Sequence, residues 1–243
     1  MRALRILLIV VVILGGLFVA ADRLAVNFAE DEAASKLKST ENLARTPDVS
    51  INGFPFLTQL MGGSLDEVEV GIDGYQASAG NGERIRIDDL RADMKGVEFS
   101  GDYSSATAAS ATGSAIIAYD ELLKAANSEP TEIAPGVTAR VVSLSDGGEG
   151  RIKVGLEIDA PAIGTQQMSV LSRVSVEGDK VEVRTDSLPQ LDGLDLAESA
   201  VRKIADFQQA IDDLPGGFDL DQVQAAKNGV EISVKGSDVR LAG

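Results

Sequence analysis

The chain begins with an uninterrupted apolar run from Ile6 to Ala21, preceded by two cations in Met1-Arg2-Ala3-Leu4-Arg5. Its length falls between the roughly 7–15 residues of a signal-peptide core and the roughly 20 that cross a bilayer. Two fates therefore stay open. Val19-Ala20-Ala21 places small residues ahead of Asp22, which suits cleavage, whereas the density of Ile, Val and Leu suits a retained anchor. In both cases the positive-inside tendency holds Arg2 and Arg5 on the cytoplasmic side and delivers everything after Asp22 across the membrane. Residues 1–21 thus read as a signal peptide or transmembrane anchor in contact with the membrane. Residues 22–44 read as a helical stalk with Leu24, Phe28 and Leu37 toward one side.

From about Val49 the apolar period becomes two. The clearest case sets Ile152, Val154, Leu156 and Ile158 against Arg151, Lys153, Glu157 and Asp159, the pattern of a half-buried strand. The same alternation recurs at Val68, Val70 and Ile72, at Val170, Val174 and Val176, at Val181 and Val183, and at Val230, Ile232 and Val234. Asn81-Gly82, Gly178-Asp179, Asn228-Gly229 and Gly236-Ser237 carry hairpin chemistry between such runs, so neighbouring strands should be antiparallel. Along Ile85, Ile87, Leu90, Met94, Val97 and Phe99 the apolar phase flips twice, which predicts bulges and therefore a strongly curved sheet.

Two further helices are predicted. One is short, Asp120 to about Ala126. The other runs from Leu196 to Leu214, with Asp195 as N-cap, Glu198 three residues on and Pro215-Gly216-Gly217 at its end. Val201, Ile204, Phe207, Ile211 and Leu214 fall on one face of it at helical spacing. Residues 45–243 are therefore expected to form one α+β domain, a strongly curved antiparallel sheet wrapped around a long helix.

Charge and composition remove whole classes of function. With 22 basic against 38 acidic residues the net charge is −16, which repels nucleic acid and disfavours adsorption to an anionic membrane surface. There is no Cys, so the core has no disulfide and the apolar run has no lipoprotein cysteine; there is no His either. Together these absences remove the usual general base, the thiolate nucleophile and nearly every zinc, copper or haem site. Gly62-Gly63-Ser64-Leu65-Asp66 lacks the last glycine of a nucleophile elbow and any His partner, so it reads as a turn entering a strand. Asp219 and Asp221 lack the glycine and terminal Glu of a calcium loop, and Asp146-Gly147-Gly148-Glu149-Gly150 lacks a P-loop lysine and reads as a hairpin loop. No catalytic residue, metal or cofactor is assigned.

One segment stands apart. Ile51-Asn52-Gly53-Phe54-Pro55-Phe56-Leu57-Thr58-Gln59-Leu60-Met61-Gly62-Gly63 gathers two of the seven Phe beside Leu, Leu and Met. Pro55 can start a helical turn in which Phe56, Leu60 and Met61 share one side. Such an element is either a plug of the core or a ligand- or membrane-facing surface.

This segment, followed by Leu65-Asp66-Glu67-Val68-Glu69-Val70, resembles the hallmark of the LmeA-like phospholipid-binding family of actinobacterial envelope proteins. The Tyr119-Asp120-Glu121-Leu122 helix start and the order of elements resemble that family as well. The resemblance implies a tubular lipid-binding type of domain outside the cytoplasm, with an apolar groove for the acyl chains of a phospholipid partner. It also implies a role in envelope lipid or lipoglycan metabolism by binding rather than turnover. The lipid-binding candidates are Phe54, Phe56, Leu57, Leu60 and Met61 near the groove, with Ile204, Phe207 and Ile211 on its helical wall. The competing reading is a scaffold of the envelope, whose sheet edge or acidic face binds another protein and whose apolar residues close a dry core.

Overall fold

The computed structural model describes residues 2–78, 84–125, 129–161, 164–177, 180–187, 207–210 and 218–242. Its first element is a single unbroken helix, α1 (Arg2–Thr40), about 58 Å long at 1.5 Å per residue. The apolar run and the stalk are thus one rod. Its N-terminal half is long and apolar enough to cross a membrane. The remainder of the described chain is mostly strand, with two short helices, α2 (Phe56–Gly62) and α3 (Tyr119–Ala125).

The chain forms two compact units. The first comprises Met1–Ile72, Arg91–Thr112 and Gly236–Gly243; the second comprises Asp73–Leu90 and Gly113–Lys235. One sheet has seven strands. Its path is β1 (Asp48–Asn52), β2 (Ser64–Ile72), β4 (Arg84–Phe99), β5 (Ala106–Ala118), β13 (Gly229–Ala242) and β12 (Phe218–Ala226), with β3 (Tyr75–Ser78) paired to β4. The other runs β11 (Phe207–Ala210), β10 (Lys180–Ser187), β9 (Gly164–Glu177), β8 (Arg151–Ala160), β7 (Val137–Gly148) and β6 (Thr131–Ala134), and lies wholly in the second unit. The expected class, α+β with a curved antiparallel sheet behind an apolar N-terminal helix, is the one found.

The predicted change of phase in β4 has a backbone cause. Ile85 and Ile87 point inward, then Leu90 and Met94, then Val97 and Phe99. The two changes of parity occur at Asp89 and Gly96, which sit at φ +52° and +59° in the left-handed region. Each left-handed residue re-aims the side chains that follow and bends the strand. Strand β13 does the same: Val230 is buried on one parity and Val239 on the other, with Asp238 at φ +53° between them. The hairpin turn expected at Gly236-Ser237 is therefore an internal bend of a continuous strand. The turn at Asn228 does form, between β12 and β13.

In the second unit the alternation read in β8 is realised, with Ile152, Val154, Leu156 and Ile158 all buried. With Val170, Val174, Tyr119, Val223 and Val230 three of them form the main core cluster; Ile158 joins Val137, Ala139 and Ala160 in a smaller one. Tyr119 begins α3 and donates its hydroxyl to the Ala226 carbonyl at 2.8 Å, tying that helix to the end of β12. Burial, helped by the negative charge of Asp146, raises the pKa of this phenol.

The late helix is corrected where it can be checked. Phe207–Ala210 is a strand, paired antiparallel to β10 with Phe207 opposite Val183 and Ala210 opposite Lys180. Residues 188–206 and 211–217 lie outside the described residues. The helical spacing of Phe207 is real, but edge pairing satisfies the backbone groups of β10, and such tertiary pairing overrides weak local propensity.

Candidate functional site

The conspicuous segment is built between β1, α1 and β2 in the first unit. Strand β1 lies against β2, with Asp48 opposite Gly71 and Asn52 opposite Glu67. Asn52 fastens this end by donating from Nδ2 to Glu69 Oε1 at 2.8 Å and to Glu67 Oε2 at 3.1 Å. Gly53 then turns the chain at φ +105°, and a Cβ there would overlap Gln59 Nε2 and come within 2.6 Å of Asp66 Oδ2. Only glycine fits this turn. The Phe54–Pro55 peptide is cis, and α2 begins at Phe56.

Pro55 stands at the N-cap of α2 but gives its amides no side-chain partner. Asp22 supplies one from α1: its Oδ1 accepts the Leu57 N–H at 2.9 Å, and its Oδ2 accepts from Arg23 Nη2 at 2.8 Å. Asp22 is fully buried. Burial pushes its carboxyl up, but the amides of Leu57 and Phe56 and the Arg23 guanidinium outweigh that, and its pKa lies below the usual aspartate value. Glu30 makes a second fastening, accepting the Ile51 N–H at 2.8 Å along the open edge of β1. At the far end Lys38 Nζ donates to Thr46 Oγ1 at 3.1 Å.

Helix α2 ends at Gly63, left-handed at φ +77°, whose N–H returns to the carbonyls of Gln59 and Leu60. Gly62-Gly63-Ser64 is thus the turn into β2 that the sequence suggested. The loop after β4 reaches the same place: Phe99 N–H donates to the Gly63 carbonyl at 2.9 Å and Tyr103 Oη to the Leu60 carbonyl at 2.9 Å.

The candidate residues fall into different environments. Phe56 is buried at 3% exposure, Leu57 and Leu60 are half-buried, and Phe54 and Met61 are exposed at 56% and 85%. The expected shared side therefore holds for Phe56 and Leu60 but not for Met61, which lies one residue, or about 100° of helix, away from Leu60. Leu24 and Phe28 are also turned to the outside, while Val26 and Ala34 make the packed side of α1 with Asp22, so the stalk packs on the face opposite to the one its large apolar residues suggested. Phe207 lies in β11 of the second unit, and Ile204 and Ile211 lie outside the described residues.

Four residues that pattern reading passed over hold the site together: Asp22, Arg23, Glu30 and Tyr103. Arg23 also donates to the Gly53 carbonyl at 3.5 Å and stands over the Phe54 ring, 5.4 Å from its centroid. Nothing local marks Asp22 as a cap for an amide 35 positions away. No curated protein and no solved structure matches the chain. The model of the LmeA-like phospholipid-binding family matches residues 20–235, from the last turn of the apolar run to just before the bend of β13, and the chain belongs to that family.

Proposed function

We propose that this chain is a non-catalytic phospholipid carrier or presenting protein of the cell envelope, working outside the cytoplasm in envelope lipid or lipoglycan metabolism. The observation that carries the reading is the family match, which spans nearly everything after the apolar run. The acyl chains would lie in an apolar groove beside the half-buried Leu57 and Leu60, with Phe56 closing the core beneath.

The energetics favour apolar capture over electrostatic attraction. Sheltering about eight methylenes gains roughly 6 kcal/mol. The repulsion from a surface of net charge −16 is screened within about 8 Å at physiological salt, whereas this apolar gain is not. The acidic exterior would then limit non-specific adhesion of the domain to anionic membrane.

Native mass spectrometry of the chain from Asp22 onward, purified without detergent, tests this. One phospholipid mass per chain is the expected result, reduced in Leu60→Asp. Charge states carrying the polypeptide mass alone would remove the carrier reading.

A further inference from the structure

The first unit carries an exposed apolar surface whose position is fixed by α1. Three cross-connections set the level of the chain along this helix: Thr46 beside Lys38, Ile51 beside Glu30, and Gly53 with Leu57 beside Arg23 and Asp22. The chain from 46 to 57 therefore runs antiparallel to α1, back toward the apolar run. Helix α2 caps the β1–β2 turn at that end. The Ser100–Ser105 loop is held there too, through Phe99 to Gly63 and Tyr103 to Leu60.

Among the described residues, every large apolar or aromatic side chain exposed beyond the apolar run belongs to the first unit. Phe54, Met61 and Tyr103, exposed at 56%, 85% and 53%, cluster on this end, and Leu24 and Phe28 continue the outer side of α1, each exposed by more than 70%. Because α1 is unbroken, Leu24 stands about 4.5 Å and Phe28 about 10 Å beyond Ala21. The polar interface of a bilayer is roughly 5–8 Å deep on each side. A helix inserted to Ala21 thus brings Arg23, Leu24 and the α2 end into that layer without bending.

The geometry points to a membrane-seating face formed by Leu24, Phe54, Met61 and Tyr103, which enters the headgroup layer of the bilayer that holds α1. Aromatic and amphipathic side chains settle in this layer, and Arg23, at the Phe54 ring, places its cation at phosphate depth. The charged groups around this end are Arg23, Asp66 beside Gly53, Glu67 and Glu69 at Asn52, Lys95 paired with Glu67, and Asp102. Hydrogen bonds from Ser100 and Ser104 lower the pKa of Asp102 to about 2. With acidic side chains around it, this end meets the headgroups through its apolar side chains rather than through charge. Seating stands apart from carriage: it concerns where the first unit rests, not what it binds.

The chain contains no Trp, so single tryptophans report depth without background. Full-length Phe54→Trp, Met61→Trp, Phe28→Trp and Ser35→Trp chains, each checked by circular dichroism, are reconstituted into phosphatidylcholine vesicles with and without brominated acyl chains. Ser35 is exposed on α1 about 21 Å beyond Ala21 and serves as the distant position. Expected is a blue-shifted emission, quenched at least twofold by the brominated lipid, at positions 54 and 61, weaker quenching at 28 and none at 35. Water-like emission at both 54 and 61 overturns the proposal. A blue shift without quenching also overturns it, because a second protein copy would then cover the face. A chain that is quenched yet carries no phospholipid would fail as a carrier and still stand as seated.

Discussion

Leu57 donates its backbone N–H to the carboxylate of Asp22 at 2.9 Å, so the first residue after the apolar run caps a helix that begins 34 positions later. The cap joins the end of the membrane-competent segment rigidly to the Gly-Phe-Pro-Phe-Leu element. Whatever that element touches, its position is set relative to the end of the apolar run.

Asp22→Asn should lower the thermal transition by a few degrees at neutral pH and flatten its dependence on acid. The carboxyl is held below its ordinary pKa by the Leu57 and Phe56 amides and Arg23 despite burial. The unfolded chain therefore binds the proton first, and stability rises with pH in that range. The contribution is fully present above the unfolded value of about 3.9 and fades as pH falls through the lower folded value. Thermal melts of both chains from pH 6 down to 2.5 check it; parallel acid limbs would show that Asp22 is not responsible.

Gly53→Ala should destabilise by about 1–3 kcal/mol, since φ of +105° is closed to a side chain and the new Cβ would overlap Gln59. Urea denaturation gives the value. A change within a few tenths of a kcal/mol would mean that the turn relaxes.

Gly229→Ala should disturb the second unit for a different reason. A Cβ there would overlap the Ile117 carbonyl oxygen and lie 2.9 Å from Ala118 Cα, so backbone rather than a yielding side chain is in the way. A loss of about 1–3 kcal/mol is expected from this overpacking. Hydrogen exchange should localise it to β5 and β13.

Leu156→Ala and Met61→Ala separate core from surface. Leu156 is 1% exposed within the main cluster and should cost about 2–5 kcal/mol, whereas Met61, at 85% exposure, should change stability by less than about 0.5 kcal/mol. Met61→Ala should nevertheless weaken vesicle association measured by flotation. Equal stability losses would contradict the burial of the two sites.

Local pattern was enough wherever burial follows period and parity. Ile152 to Ile158 alternate and are buried as they alternate, Tyr119-Asp120-Glu121-Leu122 starts a helix, and the double phase change before Phe99 marks two bends that the backbone makes at Asp89 and Gly96. Pattern was not enough where two interpretations share one spacing. Phe207 fits a helical stripe, yet it pairs with Val183, because a strand edge elsewhere in the chain offers it hydrogen bonds that no periodicity displays. Gly236-Ser237 has turn chemistry, but a single left-handed residue, Asp238, uses the same flexibility to bend a strand that continues.

What the sequence by itself determined is the apolar N-terminal helix, the antiparallel α+β class, the absence of histidine and thiol chemistry, and the segment that carries the family resemblance. These depend on residue type and short-range spacing. Only the tertiary structure decided which side of α1 is packed, that Asp22 and Glu30 rather than Leu24 and Phe28 fasten it, and that Met61 faces out while Phe56 faces in. The physical reason is that a buried carboxylate such as Asp22 needs partners, and the amides that Asp22 and the half-buried Glu30 accept from, 35 and 21 positions away, leave no trace in local sequence.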